Sequence, residues 1–352
     1  MSRVGQVASQ ASPWERAEQV LEQAVARGQV HAAVLHVRRG SVEVTRAFGR
    51  GVSPESIFLL GSISKPVVVA AVMTLIEQGE LQLDDQVARY LPGWVGEGRE
   101  PLTVRHLLTH VSGLPDQLPE NQTLRRQHAP LAEFVQRALS TPLSFAPGTA
   151  YQYSSLGILL VARIAEVISG IDMLTLVEQR VLRPLEMRHS AQGLGSFTLA
   201  DVVPCQTEQA APEAGGGDPT ARDWDWNSLY WRQLGAPWGG THASAPDVGR
   251  FLAEFLYEEG RVLQPATARL MIGNALPPGL PPRGLGWGIG VEAGSPGCSD
   301  RTFGHSGSTG TVCWADPASD TICVVLTSLP AQAALPHPRD LAAARVAAAV
   351  RD

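Results

Sequence analysis

The spacing of hydrophobic and polar positions predicts strands at both ends of the chain and helices in between. Residues 13–28 repeat apolar side chains at helical spacing and predict an amphipathic helix. Residues 32–37 and 42–48 predict two strands joined by a turn at Arg39-Gly40. The remaining predicted helices are residues 103–110, 131–140, 156–169 and 341–350. The remaining predicted strands are residues 286–291, 301–305, 309–314 and 321–326. This order favours one sheet with a long helical insertion.

A long, mostly buried helix is predicted to begin at or near Ser62. An apolar segment, residues 67–73, follows Pro66, which is suited to a first helical turn because it lacks an N–H. Lys65 lies three residues after Ser62, so its amine and the Ser62 hydroxyl share one face of the helix. A hydroxyl at a helix start beside an amine is a candidate activated nucleophile.

Lys65 is also the only lysine among the 28 basic residues of the chain. Arginine supplies positive charge but stays protonated in proteins, whereas a buried lysine can lose its proton. A bias towards arginine explains why lysine is scarce, but not why one lysine is retained here. The position is therefore interpreted as one that needs a titratable amine; the alternative is an ordinary residual lysine.

Composition limits the classes of function. The 352 residues, 44% hydrophobic and 18% charged, suit one large domain or two moderate ones. A net charge of −6 without a basic cluster argues against nucleic acid as a partner. No apolar segment reaches the roughly 18 residues of a membrane helix. No apolar stretch follows residues 1–6, so no signal peptide is seen and a cytoplasmic location is expected.

No metal or cofactor is expected from the cysteines and histidines. None of the four cysteines forms a C-x-x-C pair. Cys313 and Cys323 are placed to face each other across a hairpin, although buried thiols are the expectation in a reducing compartment. His106 and His110 are four residues apart, but no third ligand has zinc-like spacing.

A cluster of aromatic residues follows a glycine-rich segment, residues 210–223. The cluster consists of Trp224, Trp226, Tyr230, Trp231 and Trp238. Two interpretations stay open, because aromatic side chains line both pockets and cores. The cluster either pins a surface loop or forms the apolar wall of a substrate cleft.

Three short motifs, in chain order, carry the pieces of an acyl-transfer site. They are Ser62-Ile63-Ser64-Lys65, Tyr153-Ser154-Ser155 and His305-Ser306-Gly307. Supporting matches are residues 107–114, 184–187, 238–240 and 286–288. With these motifs, nearly the whole chain resembles the serine β-lactamase and penicillin-binding-protein superfamily. The resemblance is strongest to the branch of class C β-lactamases, DD-peptidases and family VIII carboxylesterases.

The resemblance implies an α+β fold: an antiparallel sheet flanked by helices, with a large helical subdomain. Residues 1–352 would form one unit. Residues 1–61 and 236–352 would build the sheet region, and residues 62–235 would be mainly helical.

The resemblance also implies roles for individual residues. Ser62 would attack an acyl carbonyl, and Lys65 and Tyr153 would take and return its proton. The backbone N–H groups of Ser62 and Ser308 would form the oxyanion hole. The implied substrate-binding residues are Ser155, His305, Gly307 and Trp238.

Two departures from the family pattern bear on the substrate. Ser155 stands where many relatives have Asn, which shortens or removes a contact to an amide. His305 stands where class C β-lactamases usually have Lys, so a fixed charge for a β-lactam carboxylate is expected to be missing. Both departures favour a carboxylesterase of small esters.

Several alternatives remain. They are a D-amino-acid amidase or peptidase, a weak β-lactamase and, from another class, a non-catalytic binding protein on this fold. The absence of a Gly-x-Ser-x-Gly motif disfavours an α/β-hydrolase. The expected partner is a small ester or amide, and the oligomeric state is left open.

Overall fold

The computed structural model describes residues 13–96 and 98–350. The predicted N-terminal features of residues 1–6 therefore lie outside the described residues. The helices are α1 (Glu15–Ala26), α2 (Ser64–Glu77), α3 (Val104–Leu108), α4 (Asn121–Arg126), α5 (Leu131–Ser140), α6 (Ser155–Ser169), α7 (Met173–Val177), α8 (Leu229–Leu234), α9 (Ala245–Leu256), α10 (Pro265–Ile272) and α11 (Pro338–Ala349). The strands are β1 (Ala33–Arg39), β2 (Val42–Phe48), β3 (Phe58–Leu59), β4 (Ser190–Gln192), β5 (Thr241–Ala243), β6 (Gly288–Ile289), β7 (Phe303–Gly307), β8 (Thr311–Asp316) and β9 (Thr321–Thr327).

An antiparallel sheet organises the molecule. Within the described ranges, six strands form it in the order β2-β1-β9-β8-β7-β6. A smaller sheet has the order β3-β5-β4. The α+β class and the antiparallel sheet are confirmed. The six strands come from the parts of the chain before residue 62 and after residue 235, while α2 to α8 lie between them.

Each face of the large sheet packs on helices because alternate residues of a strand point to opposite sides. On one face, the sheet meets α1 and α11, which also contact each other. On the other face, it meets α9, and beyond α9 lies the core around α2 and α6. Helix α2 is buried from Ser64 to Leu75, which explains its almost uniformly apolar sequence.

Two expectations are corrected by the sheet register. Cys313 pairs with Val324, and Cys323 pairs with Trp314, so the two sulfurs point to opposite faces. Neither of these cysteines is in a disulfide. The strand predicted at residues 286–291 is only Gly288–Ile289. Outside that pair the backbone does not continue the strand pairing. The N–H of Gly286, for example, donates a hydrogen bond to the carbonyl of Leu108.

Candidate active site

Ser62 lies at the entry of α2, close to the predicted position. It occupies a 3₁₀ turn, Gly61–Ile63, that continues directly into the helix. Lys65 Nζ donates to Ser62 Oγ over 3.0 Å and to the Trp238 carbonyl over 3.1 Å. The Lys65 side chain is 0% exposed. One helical turn therefore brings the only amine side chain of the chain onto the Ser62 hydroxyl.

The surroundings of the Lys65 amine lower its pKa. Burial is the largest cause that lowers its pKa, to about 7, and the nearby Arg283 cation lowers it further. The Asp116 carboxylate opposes the shift. A neutral amine at this distance can accept the Ser62 proton, which a permanently charged side chain could not do.

Tyr153 is the second side chain that closes on Ser62. Its ring lies 4.6 Å from Lys65 Nζ and 5.6 Å from the guanidinium carbon of Arg283. Its hydroxyl is buried against the Ser62 side chain, without a hydrogen bond of good geometry. Burial raises the pKa of Tyr153 more than the Ser62 hydroxyl lowers it. The raised pKa therefore favours a protonated Tyr153 hydroxyl, whereas the lowered pKa of Lys65 favours a neutral amine.

The start of α6 fixes the position of Tyr153. The next residue, Ser154, caps α6 by accepting from Gly157 N, and its hydroxyl donates to the Pro115 carbonyl. The N–H of Ser154 also donates to His110 Nδ1 over 3.2 Å. Tyr151, two residues earlier, is half-buried and does not approach Lys65 in the same way.

The candidate oxyanion hole depends on how closely β7 approaches the Ser62 turn. Gly61 has φ +57, in the left-handed region, and a Cβ there would lie 3.2 Å from Ser308 N. The Ser308 amide thus adjoins the Ser62 turn. The Thr309 and Thr311 hydroxyls donate to the carbonyls of Leu59 and Leu60, each over 2.7 Å. These bonds hold the turn between β7 and β8, which contains Ser308, against the turn that contains Ser62. The amides of Ser62 and Ser308 are therefore the candidate donors to an oxyanion.

Gly307 has a packing role, and its predicted contact with substrate stays a prediction. A Cβ at this position would lie 2.1 Å from the Leu60 carbonyl oxygen, so only glycine permits the close approach. Ser155, also predicted to bind substrate, does line the cleft. Its hydroxyl, however, donates to Asp116 Oδ1 over 2.7 Å, and its N–H donates to the same oxygen over 2.9 Å. The hydroxyl is therefore already engaged.

His305 lies at the cleft, but it does not act alone. Its Nδ1 is 2.8 Å from the Ser306 carbonyl, so the proton resides on Nδ1 and Nε2 accepts from Arg283 over 3.2 Å. Burial, with the Arg283 and Lys65 charges, holds the pKa of His305 well below its usual value. Arg283 thus places a fixed positive charge beside the neutral imidazole, so the expectation that such a charge is missing is wrong.

His110 lies on the other side of Arg283. Its Nδ1 accepts from Ser154 N, which places the proton on Nε2, and that nitrogen is 3.2 Å from the same Arg283 nitrogen. Two donors therefore face each other. Burial and neighbouring cations hold the pKa of His110 well below its usual value, which keeps the ring neutral.

The sequence analysis missed four residues of the cleft region. Arg125, Arg283 and Asp116 were not considered, and His110 was weighed only as a metal ligand, which was not expected. Arg283 and His110 are 173 positions apart, and Asp116 and Ser155 are 39 apart. No local spacing reveals such contacts. The one available signal was that His110 lies within a segment, residues 107–114, that matched the family.

Two lobes of one cleft meet at Ser62 and Tyr153. The aromatic lobe has a volume of about 280 Å³. Its walls include Trp226, Trp231, Trp238, Asp116 and Arg125, together with Ala211, Glu213 and Ala214 of the glycine-rich segment. The cationic lobe has a volume of about 950 Å³. It is lined by Tyr151, Arg283, His305, Pro281, Pro282, several glycines and two carboxylate residues, Glu292 and Asp340.

Both interpretations of the aromatic cluster hold in part. Trp226, Trp231 and Trp238 form a wall of the aromatic lobe. Trp224 and Tyr230 pack behind them, where the Tyr230 hydroxyl donates to the Ala129 carbonyl. Three of the five aromatic side chains therefore face the cleft, and two support the loop.

Neither a metal cluster nor a membrane helix is found in the described parts of the chain. No group of three or more His, Cys, Asp and Glu side chains there is placed to hold a metal ion. No helix there is long and apolar enough to cross a membrane. His106, predicted to be able to share a helix face with His110, instead accepts from Thr103 N and so caps α3.

Ser62 is hydrogen-bonded to a buried lysine of lowered pKa and lies near the Ser308 amide. This arrangement is typical of sites for acyl transfer to a serine nucleophile. The model of the β-lactamase family matches residues 17–348. The chain therefore belongs to the β-lactamase family, whose relatives here are serine hydrolases.

Individual relatives agree with this assignment. The chain is 37% identical to esterase EstB of Burkholderia gladioli over 186 aligned residues. The aligned segment covers 49% of this chain and only 47% of EstB. Over 304 residues, the chain is 29% identical to penicillin-binding protein 4 of Amycolatopsis lactamdurans, covering 80% of this chain and 75% of the relative. Among solved structures, EstCE1, a hydrolase with promiscuous acyltransferase activity, matches with a TM-score of 0.75 at 23% identity, over 94% of this chain and 98% of EstCE1.

Proposed function

We propose that this chain is a carboxylesterase that hydrolyses small esters through an acyl-enzyme on Ser62. The observation that carries the proposal is the contact between the buried Lys65 amine and Ser62 Oγ, 3.0 Å long, with the pKa of Lys65 near 7. The similarity to esterase EstB supports esters as the substrates. The engagement of the Ser155 hydroxyl by Asp116 also supports esters, because no side-chain amide is offered to an amide substrate at this position.

In the proposed acylation, a proton is relayed from Ser62 through Lys65 and Tyr153 to the leaving alcohol. Neutral Lys65 accepts the Ser62 proton as Oγ bonds to the acyl carbon. The amides of Ser62 and Ser308 stabilise the negative carbonyl oxygen. As the ester C–O bond breaks, Tyr153 donates its proton to the leaving alcohol and regains one from the Lys65 ammonium. Water then attacks the acyl-enzyme by the same steps in reverse, which restores Ser62 and releases the acid.

A second candidate, cleavage of a carboxylate-bearing amide or β-lactam, is supported by Arg283. Its fixed charge lies beside His305 in the cationic lobe, where it can attract an anionic substrate. The similarity to a penicillin-binding protein points the same way. We rank it second because Arg283 supplies charge without replacing the amide group that Ser155 lacks.

The acyl-enzyme is tested with a fluorophosphonate probe. Purified protein is incubated with the probe, and the adduct is mapped by mass spectrometry. We expect labelling of Ser62, complete loss of label in Ser62→Ala, and normal labelling in Ser140→Ala, a matched change at an exposed serine far from the cleft. A label on another serine contradicts the assignment. No label together with no turnover supports a non-catalytic binding protein.

The substrate class is tested by comparing kcat/KM for p-nitrophenyl butyrate, a D-amino-acid anilide and nitrocefin. We expect the ester to be cleaved much faster than the other two, because an ester needs no side-chain amide contact at Ser155. A nitrocefin or anilide value equal to or above the ester's favours the second candidate over the first.

A further inference from the structure

No hydrogen bond fixes the direction in which the Tyr153 hydroxyl points. The hydroxyl is buried, and among the described residues no partner meets it with good geometry. A proton donor works only when it lies within hydrogen-bond reach of the reacting atoms, and a misplacement of roughly 1 Å can cost about 10²-fold in rate. The position of this hydroxyl must therefore be set by whatever holds the ring and the backbone of Tyr153.

His110 holds the backbone on both sides of Tyr153. The N–H of Gln152 donates to the His110 carbonyl over 2.9 Å, and the N–H of Ser154 donates to His110 Nδ1 over 3.2 Å. Burial, with the neighbouring cations, holds the pKa of His110 well below its usual value, so the ring stays neutral. A neutral ring is needed for this contact, because an imidazolium has no acceptor nitrogen.

The ring of Tyr153 also packs on His110. The two ring centres lie 4.6 Å apart with their planes tilted by 39°, whereas the His305 ring centre lies 6.0 Å from that of Tyr153. The other close groups, Lys65 Nζ and the Arg283 guanidinium, are the ends of long side chains. His110 has a short side chain and is 0% exposed, so it is the stiffest of these supports.

The backbone of His110 is itself unusual. Its φ of 61° lies in the left-handed region, which is unfavourable for residues other than glycine and asparagine. A residue held in such a conformation costs of order 1–3 kcal/mol and persists only where its surroundings fix it, commonly at functional sites. At His110, this conformation accompanies an imidazole packed on Tyr153 and a carbonyl bonded to Gln152.

We propose that His110 is a positioning residue, which holds the Tyr153 hydroxyl where it can pass a proton to the leaving alcohol. This inference rests on the esterase function proposed above and assigns no proton transfer to His110 itself. His110 is not among the residues that line either lobe, so it acts through Tyr153 and not by touching substrate.

Two variants test the side chain while respecting the backbone. His110→Gly accepts the positive φ but removes the ring, whereas His110→Asn accepts it and offers an amide oxygen near the place of Nδ1. With p-nitrophenyl butyrate, we expect His110→Gly to lower kcat by about 10²-fold with little change in KM. We expect His110→Asn to recover about tenfold of that loss, the size of one hydrogen bond. Equal kcat values for Gly and Asn contradict the Nδ1 contact.

His36→Ala is the matched control for loss of a buried imidazole. His36 lies on β1, is 2% exposed, and has Nδ1 2.9 Å from the Thr45 hydroxyl. It lines neither lobe. This variant should lower the melting temperature but leave kcat unchanged. A loss of kcat as large as that of His110→Gly would attribute both losses to stability and overturn the proposal.

A double-mutant cycle shows whether His110 acts through Tyr153. Tyr153→Phe has no phenolic proton to place, so adding His110→Gly to it should cost little further activity. If the double variant shows the full loss of both single variants, His110 acts independently of Tyr153 and the proposal is wrong. If the turnover of Tyr153→Phe is too low to measure, the comparison of Gly with Asn decides.

A pH profile separates this route from one through Arg283. His110 Nε2 lies 3.2 Å from an Arg283 nitrogen, and Arg283 lowers the pKa of Lys65. Removal of a neutral ring that acts only on Tyr153 should leave the acidic limb of kcat/KM where it is in the wild type, near the Lys65 pKa of about 7. A limb that moves to higher pH, with normal activity at pH 9, assigns His110 to Arg283 and overturns the proposal.

The remaining outcomes separate this inference from the esterase function. Normal turnover by His110→Gly refutes the positioning role and leaves the esterase function intact. If His110→Gly does not fold, His110→Gln replaces it, because its longer side chain places the amide near Nε2 and not near Nδ1; equal kcat values for Gln and Asn then refute the role. No turnover of any ester by the wild type, with no label on Ser62, refutes the esterase function and with it this inference.

Discussion

The aromatic and cationic lobes differ in almost every property except the residues they share. The aromatic lobe is small, walled by tryptophans, and combines the Arg125 cation with the Asp116 and Glu213 carboxylates. The cationic lobe is more than three times larger, rich in glycine, and contains the Arg283 guanidinium beside two neutral histidines. Ser62 and Tyr153 border both lobes.

This difference separates two tasks. In the proposed mechanism, bond breaking uses Ser62, Lys65 and Tyr153 at the junction, where burial shifts the pKa values of Lys65 and Tyr153. Selection of the acyl group and of the alcohol is then left to the walls of the two lobes. Changes at the junction should therefore affect every substrate alike, whereas changes in one lobe should depend on the group that occupies it.

The largest effect is expected for Lys65→Arg at the junction. Arginine keeps the charge but cannot shed a proton, so kcat should fall by at least roughly 10²-fold, whichever acyl or alcohol group is used. Lys65→Ala should lose a similar amount. Thermal melting checks that each variant folds. Near-normal turnover by Lys65→Arg would show that charge is sufficient and would remove Lys65 from the proton circuit.

Tyr153→Phe is expected next, with a loss of roughly 10²–10⁴-fold in kcat on all substrates, because it removes the proposed proton donor. Tyr151→Phe is the matched control, since Tyr151 borders only the cationic lobe. Its effect should be small and should depend on the substrate group that occupies that lobe. A larger loss for Tyr151→Phe would mean that the second motif has been placed two residues too late.

The smallest effect is expected for Arg283→Met, measured as kcat/KM against pH. Lys65 must be neutral to act, so activity rises with pH through its pKa of about 7. Arg283 lowers that pKa, and its removal should raise it. The acidic limb should therefore move to higher pH, with a clear loss at pH 6 and little at pH 9.

Arg283→Lys retains a cation and should keep the limb close to its wild-type position. An unshifted acidic limb in Arg283→Met would show that the Arg283 charge in the cationic lobe does not affect the pKa of Lys65 at the junction. It would also leave burial as the sole cause of the lowered Lys65 pKa.

The sequence predicted the contact between Ser62 and Lys65 at the junction because it depends only on helical spacing over a few residues. Ser62 and Lys65 are one helical turn apart, and Pro66 and the apolar segment behind it predict the helix that joins them. The strand alternation likewise predicted β1, β2, β8 and β9 close to their observed bounds, since each strand packs one face or both against helices. Retention of a single lysine pointed to a titratable amine.

The same reasoning gave Gly307 only a role towards substrate and expected no fixed charge beside His305. In both cases it missed a contact across the fold. Gly307 is needed because the Leu60 carbonyl approaches it, and Arg283 reaches His305 from a loop 22 residues earlier in the chain. A motif records which residue is present, but not which backbone atom or charge will lie against it.

The sequence by itself thus determined the sheet with its helical insertion and the Ser62–Lys65 pair, because helix periodicity and strand alternation act over a few residues. The resemblance to the family, and not periodicity, implied the fold class and the place of Tyr153. Only the tertiary structure decided that Arg125, Asp116 and Arg283 line the cleft. Their partners lie 22 to 173 positions away, and only packing brings them together. The same packing excludes water from Lys65 and lowers its pKa, which no local pattern of residues specifies.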